Sequence, residues 1–292
     1  MPPAEYRGRL APTPTGLLHR GHGQTFWISA ERARQAGGEL ILRIEDLDQA
    51  RCRAEYTAAM IRDLQWLGIT WDEGPDIGGP FASYTQSDRG AWFQQVWHQL
   101  HATGLIYPSP HSRKDVQAAL QAPHEAEDNE PIFPAELRPG LDAGRDAQEP
   151  GAMNWRFRVP AGRELVFHDA RCGEVRRVAG RDFGDFLVWR KDGLPSYELA
   201  VVADDHAMQI TEVVRGADLL TSTARQLLLY EALGWKPPAW YHAPLVLDAS
   251  GQRLAKRAAA QSLAELRAAG VSPEVLIGEW KKSVGQAVPD NV

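Results

Sequence analysis

At 292 residues the chain is long enough to bury a sizeable core, in one large domain or two smaller ones. Its 43% hydrophobic and 24% charged residues are ordinary for a globular protein, and 32 basic against 38 acidic side chains leave a formal charge of −6, so no global basic field advertises nucleic acid; any RNA contact has to come from a local patch. Cys52 and Cys172 lie far apart without CxxC spacing, which argues against a disulfide framework or a cysteine-rich metal site and fits a reducing cytoplasm. The first residues carry no basic segment followed by an apolar one, and no stretch is long and apolar enough to span a bilayer. The expectation is a cytoplasmic monomer without a membrane partner.

In chain order, residues 7–70 alternate as a βαβα unit: a strand over 7–11, a helix over 21–35, a strand over 39–44 and a helix over 54–67. Gly37-Gly38 closes the first helix, whose Phe26, Ala30 and Ala33 recur at helical spacing as an apolar face. Leu40-Ile41-Leu42 is continuously apolar, as a strand buried on both faces of a parallel sheet is. This predicts a Rossmann-like, doubly wound α/β domain with its ligand at the carboxyl ends of the strands, near His19, His22, Glu45 and Asp46. From residue 107 the pattern breaks. Residues 121–150 are rich in Pro, Gly and acid and read as an irregular insertion, followed by strands over 154–159 and 164–168. The chain is expected to re-enter the sheet near Asp185, with helices over 197–206 and 223–233, the latter opened by a Thr223–Gln226 capping box.

Two separated signals point to phosphate chemistry. PTPTGLLHRGH at 12–22 places His19 and His22 around Gly21 at the mouth of a helix, where backbone N–H groups and the helix dipole favour an anion. RLAKR at 253–257 supplies a cationic strip. Alone, the first is more often two ordinary surface or N-terminal helix histidines and the second more often a solvated face. In this order and context they describe a grip on ATP from two sides, with a carboxylate attacking the α-phosphate, as in an amino-acid-activating enzyme.

RLAPTPTG, HRGH, RIEDLD at 43–48, DGLPSYELAVVADD at 192–205, TEVVRGADLL at 211–220 and PLVLDASGQRLAKR at 244–257 resemble the class I glutamyl-tRNA synthetases, over about residues 7–257. The resemblance is closer to their truncated paralogue family, the glutamyl-Q tRNA(Asp) synthetases. It implies activation of L-glutamate to glutamyl-adenylate and transfer to queuosine in the anticodon stem-loop of tRNA(Asp). Arg9, Ala11, Thr13, Glu45, Tyr197 and Arg215 match glutamate-binding positions; arginine suits a carboxylate by its two-pronged geometry. His19 and His22 match the phosphate-binding and catalytic pair, and Arg253 and Lys256 the ATP-binding, KMSKS-like loop. Lys256 is expected to meet the charge developing towards pyrophosphate, with Mg²⁺ bridging the phosphates. Asp204 and Asp205 look superficially like a Mg²⁺ pair but read better as structural carboxylates.

The resemblance also divides the chain into 1–106 and 185–292 as halves of the catalytic domain around an inserted acceptor or zinc-ribbon-like segment at 107–184, with no anticodon-binding domain. Three departures stand out. Arg253 and Ala255 replace the usual lysine and serine of the loop. The paralogues' zinc ligands correspond to Ser109, His111, Phe133 and Leu137, of which Phe and Leu cannot ligate, so a zinc-free insertion held by packing is expected. Only 35 residues follow Arg257, too few for a further domain, so the anticodon stem-loop would dock at the active site itself. Arg171, Arg176, Arg177, Arg181, Arg190 and Lys191 offer a basic cluster for its phosphates. The competing readings are a minimal glutamyl-tRNA synthetase charging the acceptor end, and a non-catalytic paralogue that binds nucleotide or RNA.

Overall fold

The computed structural model describes residues 6–111, 116, 132–246 and 261–284. The chain opens as its periodicity predicts. Strand β1 (Arg7–Leu10) leads through helix α1 (Arg20–Ala36) into strand β2 (Glu39–Leu42), which pairs in parallel with β1 so that Leu10 faces Leu42. Gly37 terminates α1 at φ 64°, in the left-handed region where a side chain would be strained. Gly38 allows β1 to come close, since a Cβ there would lie 2.3 Å from the Tyr6 carbonyl oxygen. Helix α2 (Ala54–Trp66) and helix α3 (Gly90–Ala102) follow.

The second parallel pair lies far along the chain. Helix α4 (Tyr197–Ala207) precedes strand β8 (Glu212–Gly216), and helix α5 (Leu220–Leu233) returns the chain to strand β9 (Ala239–Ala243), parallel to β8. β1 lies alongside β8: the Thr211 N–H donates to the Arg7 carbonyl at 2.9 Å, and Arg9 Nη1 donates to the Val214 carbonyl at 2.9 Å. The carboxyl ends of β1, β2, β8 and β9 therefore meet on one side of the molecule, as a doubly wound α/β fold requires. Apolar side chains cover both faces. Leu10 and Leu42 pack with Met60, Leu64 and Trp280, while Ile41, Val213 and Trp240 pack with Tyr84 and Met208.

Between these halves, strands β3 (Ile106–Ser109), β4 (Asn154–Phe157) and β7 (Phe186–Trp189) form a small antiparallel sheet in the order β3-β4-β7. The intervening hairpin of β5 (Glu164–Asp169) and β6 (Gly173–Val178) does not join it. Instead β5 runs parallel to β9, with Asp169 opposite Trp240, giving the order β6-β5-β9-β8. Sheet membership thus departs from chain order. The expected capping box also needs correction: α5 begins at Leu220, with Leu219 as N-cap and no side-chain cap, and Thr223 lies fully buried inside the helix. Propensity marked a polar residue before an apolar run, but tertiary bonds use its hydroxyl elsewhere, as shown below.

Two C-terminal helices, α6 (Leu263–Ala268) and α7 (Pro273–Val284), pack onto the start of α1. The Leu263 N–H donates to the Leu18 carbonyl at 2.7 Å, and Trp280, 3% exposed, lies over Gly23, where a Cβ would meet its ring at 2.9 Å. Trp280→Ala is expected to cost about 3–5 kcal/mol of stability through lost contacts and a cavity beside α1. A shift of less than 1 kcal/mol in chemical denaturation, allowing about 15% for extrapolation, would contradict this packing.

Candidate active site

A cavity of about 510 Å³ opens at the convergent strand ends. Its wall contains all six positions matched to glutamate binding: Arg9, Ala11, Thr13, Glu45, Tyr197 and Arg215. His19 and His22 line it as well, with Thr25 and Phe26 one turn further along α1. The lining residues that sequence reasoning missed include Thr25 and Phe26 on α1, Val214 and Gly216 at the end of β8 with Asp218 and Leu219 just beyond it, and Pro244–Val246 after β9. For the β8 and β9 groups the signal was positional, since each lies at or directly after the end of a parallel strand. Lys256 and Arg253 lie outside the described residues. Val246 lies on the cavity wall, and Ser262 forms a bridge with His19.

The histidine pair is built by helix capping. His19 is the N-cap of α1, its Nδ1 accepting the Gly21 N–H at 3.1 Å, while His22 Nδ1 accepts the His19 N–H at 3.5 Å. Both Nδ1 atoms act as acceptors, so the proton of each neutral ring sits on Nε2 and remains available as a donor. The rings stack with centroids 3.6 Å apart. Gly21 lies close against them: a Cβ there would lie 3.1 Å from the His19 ring, which would have to give by a few tenths of an ångström. Desolvation lowers the His19 pKa and, together with the His19 charge, holds His22 at about 4. His22 is exposed by area, but that area faces the cavity, so enclosure by protein governs its charge more than accessible surface does. At neutral pH the site offers two neutral N–H donors at a helix N-terminus, a favourable place for phosphate oxygens.

Around Glu45 and Arg9 the site rests on an ionic network. Arg43, fully buried, donates Nη2 to Glu45 Oε1 at 2.8 Å and Nη1 to Asp205 Oδ1 at 2.7 Å. Asp205 also lies 3.4 Å from Arg9 Nε. Asp204, on the same helix, accepts from Arg89 Nε at 2.6 Å and from Gln86 at 2.9 Å. Both aspartates are thus structural, as expected, although they lie within α4. Both Arg43 contacts to Glu45 fall on Oε1. Burial pushes the Glu45 carboxyl above its ordinary value, opposed by Arg43. An anion held by one oxygen on a cavity wall that also carries two arginines can accept an ammonium while the arginines receive carboxylates.

Of the positions aligned with zinc ligands, Phe133 and Leu137 lie in one packed cluster. Phe133, 3% exposed, packs with Tyr107, Val116 and Leu137. The Arg156 guanidinium lies over the Phe133 ring at 4.4 Å, and the His111 ring is 6.1 Å from it. Asp185 clamps the surround, accepting from Tyr107 Oη at 2.5 Å and from Arg138 at 2.6 and 2.7 Å. Among the described residues no group of three His, Cys, Asp or Glu is placed to hold a metal ion. Of the expected basic cluster, Arg176 and Arg177 lie on β6, whereas Arg190 and Lys191 follow β7 on the other sheet. Arg176, Arg181 and Arg190 already pair with Glu174, Asp182 and Asp192, and Arg171 donates to the His242 carbonyl. Phosphate contacts by those paired side chains would have to displace these partners.

The chain matches the family "tRNA synthetases class I (E and Q), catalytic domain" over residues 5–282. It belongs to that family. It is 46% identical over 273 residues to the glutamyl-Q tRNA(Asp) synthetase of Symbiobacterium thermophilum, covering 93% of this chain and 84% of that one. It is 43% identical to the enzyme of the same name from Nitratidesulfovibrio vulgaris, covering 98% of this chain and 88% of that one. A glutamate tRNA ligase from Elizabethkingia meningosepticum, solved in complex with its amino acid, superposes with a TM-score of 0.71 at 30% identity, covering 85% of this chain and 51% of that one. The chain thus spans about half the length of that solved ligase. The family member described here is an aminoacyl-tRNA synthetase-like ligase with a Rossmann-like catalytic fold. Among the described residues no helix is long and apolar enough to cross a membrane.

Proposed function

We propose that the protein activates L-glutamate with ATP to glutamyl-adenylate and transfers the glutamyl group to queuosine in the anticodon stem-loop of tRNA(Asp). The observation that carries this reading is one cavity lined both by neutral imidazole donors and by arginines with a carboxylate held by Arg43. The relatives named as glutamyl-Q tRNA(Asp) synthetases over most of their own length support the choice of acceptor.

In this mechanism the arginines hold the carboxylates of glutamate and Glu45 holds its ammonium. An α-carboxylate oxygen attacks the α-phosphorus of ATP in line, a new P–O bond forms, and the bond to pyrophosphate breaks. His19 and His22 donate to phosphate oxygens as charge builds, and Lys256 meets the departing pyrophosphate. ATP arrives as its Mg²⁺ complex. An acceptor hydroxyl then attacks the adenylate carbonyl and AMP leaves. No covalent enzyme intermediate is required.

The test is glutamate-dependent ATP–pyrophosphate exchange with glutamine and aspartate as controls, followed by transfer of labelled glutamate. Label is expected on queuosine-containing tRNA(Asp) and absent from tRNA(Asp) lacking queuosine. Label on the acceptor end of tRNA(Glu) would replace this reading with an ordinary glutamyl-tRNA ligase.

The insertion at 107–184 is proposed to hold its shape without zinc, because carbon-only side chains at 133 and 137 leave too few donors for a tetrahedral site. Chelator treatment is expected to leave the melting temperature unchanged, and elemental analysis to find no stoichiometric zinc. One tightly bound zinc per chain would overturn this.

A further inference from the structure

Behind the glutamate-facing wall, Arg215 is tied into a buried chain of hydrogen bonds whose other members, Thr223, His242 and Asp169, are not among the matched positions. Arg215 on β8 sits in register with His242 on β9. Arg215 Nη2 donates to Thr223 Oγ1 at 2.7 Å, and Arg215 Nε donates to His242 Nε2 at 3.3 Å. Thr223 Oγ1 lies 3.1 Å from the same Nε2, and His242 Nδ1 lies 2.7 Å from Asp169 Oδ2. Thr223, His242 and Asp169 are all fully buried, and they come from three elements, α5, β9 and β5.

The donors determine the protonation pattern. Arg215 can only donate, so His242 Nε2 must accept; its proton then sits on Nδ1 and points at Asp169. The Thr223 hydroxyl accepts from Arg215, and its own proton shares the single Nε2 lone pair with Arg215 Nε in a three-centre arrangement. Asp169 is an acceptor throughout, also receiving the backbone N–H groups of His242, Cys172 and Arg171 at 3.0, 2.7 and 3.0 Å. Burial works against its charge, yet these bonds, His242 foremost, hold its carboxyl down at about 2. The chain runs in one sense from an anchored anion to a guanidinium, and it consumes Nε and one edge of that fork. Nη1 is left buried with no hydrogen-bond partner among the described residues, on a side chain that lines the cavity.

We infer that Asp169, His242 and Thr223 are positioning residues for glutamate recognition, fixing the Arg215 fork so that its unpaired Nη1 is aimed at a carboxylate of the bound amino acid. This rests on the glutamate-activating reading proposed above. A guanidinium held by two internal bonds loses less freedom on binding, and its remaining donor is left unpaired by a substrate with no carboxylate at that point. Thr223 is therefore a specificity determinant one layer behind the cavity, which explains why its cap-like spacing in the sequence serves no cap.

The test compares wild type, Thr223→Val and Thr223→Ser by calorimetric glutamate binding and by ATP–pyrophosphate exchange. Valine keeps the shape and removes the hydroxyl. It is expected to raise the glutamate Kd and KM by roughly 10-fold or more, the effect of losing a bond to a charged group. The KM for ATP and kcat should each stay within about threefold, since the phosphate-side donors lie on α1. Discrimination against glutamine should fall in parallel, and serine should restore wild-type values. Glutamate binding by Thr223→Val within twofold of wild type overturns the relay alone. An equal rise in the KM for ATP, or a failure of serine to rescue, also overturns it, showing a general structural role. Wild-type protein that neither binds nor activates glutamate overturns the glutamate reading itself, and the relay with it.

Discussion

His22→Ala is expected to lower the rate of glutamate-dependent pyrophosphate exchange by about 10²–10³, with a smaller effect on ATP binding, the usual cost of removing one donor aimed at transition-state charge. The ring is fixed for this task. Its Nδ1 is bound to the His19 N–H at the start of α1, and stacking against His19 at 3.6 Å limits its rotation. Because desolvation and the neighbouring His19 hold its pKa at about 4, the ring is a neutral donor across the physiological range. The ATP kcat/KM of the free enzyme should accordingly show no histidine inflection near the ordinary value of about 6.5. A clear inflection there that disappears in His22→Ala would show that the charged ring is the working form. The sign for stability follows from the same depression. Between about 6.5 and 4 the unfolded chain takes up a proton at this position and the folded chain does not, so stability falls as the pH drops through that window. His19→Ala should behave differently, because it removes the N-cap as well as a donor. It should add about 0.5–2 kcal/mol of destabilisation to the rate loss.

The contrast between these histidines and the relay behind Arg215 shows which parts of the site a sequence can reveal. HRGH is local: cap, glycine and helix start are within four positions, and each has a physical reason visible in the sequence itself. The same holds for the Gly37-Gly38 terminator and for the apolar run 40–42, whose burial on both faces was predictable from composition. Arg43 and Asp205 are 162 positions apart, and Asp169 and His242 are 73 apart. No spacing rule connects such partners; only the strand order does. That order was itself the least legible part. The β5–β6 hairpin lies in sequence between strands of the small antiparallel sheet, yet hydrogen-bonds to β9. Alternation along 164–168 identifies a strand but carries no information about its neighbour. Thr223 failed for a related reason, because a threonine three residues before a glutamine satisfies a capping pattern whether or not its hydroxyl has a better partner across the sheet.

Arg43→Met tests the ionic wall most severely. The guanidinium is fully buried between Glu45 and Asp205, and removing it leaves two carboxylates, 7% and 2% exposed, without their nearest cation. Breaking a buried pair from one side costs about 3–5 kcal/mol, because the remaining charge must be neutralised or left unsolvated. Arg9 lies 3.4 Å from Asp205 and its charge also favours ionised Glu45, but it pairs directly with only one of the two. The loss should therefore depend on pH with a definite sign. Burial already raises the Glu45 pKa above its unfolded value, and without Arg43 it rises further. A raised carboxylate pKa makes its stabilising contribution at acid pH and loses it as the pH climbs through the folded-state value. Denaturant titrations of the variant should consequently show a smaller deficit at about pH 5 than at about pH 8. The same shift favours the neutral form of Glu45, so the variant should also lose affinity for the ammonium of glutamate while retaining that for ATP. An equal deficit at both pH values would mean that Glu45 stays ionised without Arg43, and that Arg9 or another cation supplies the field at this wall.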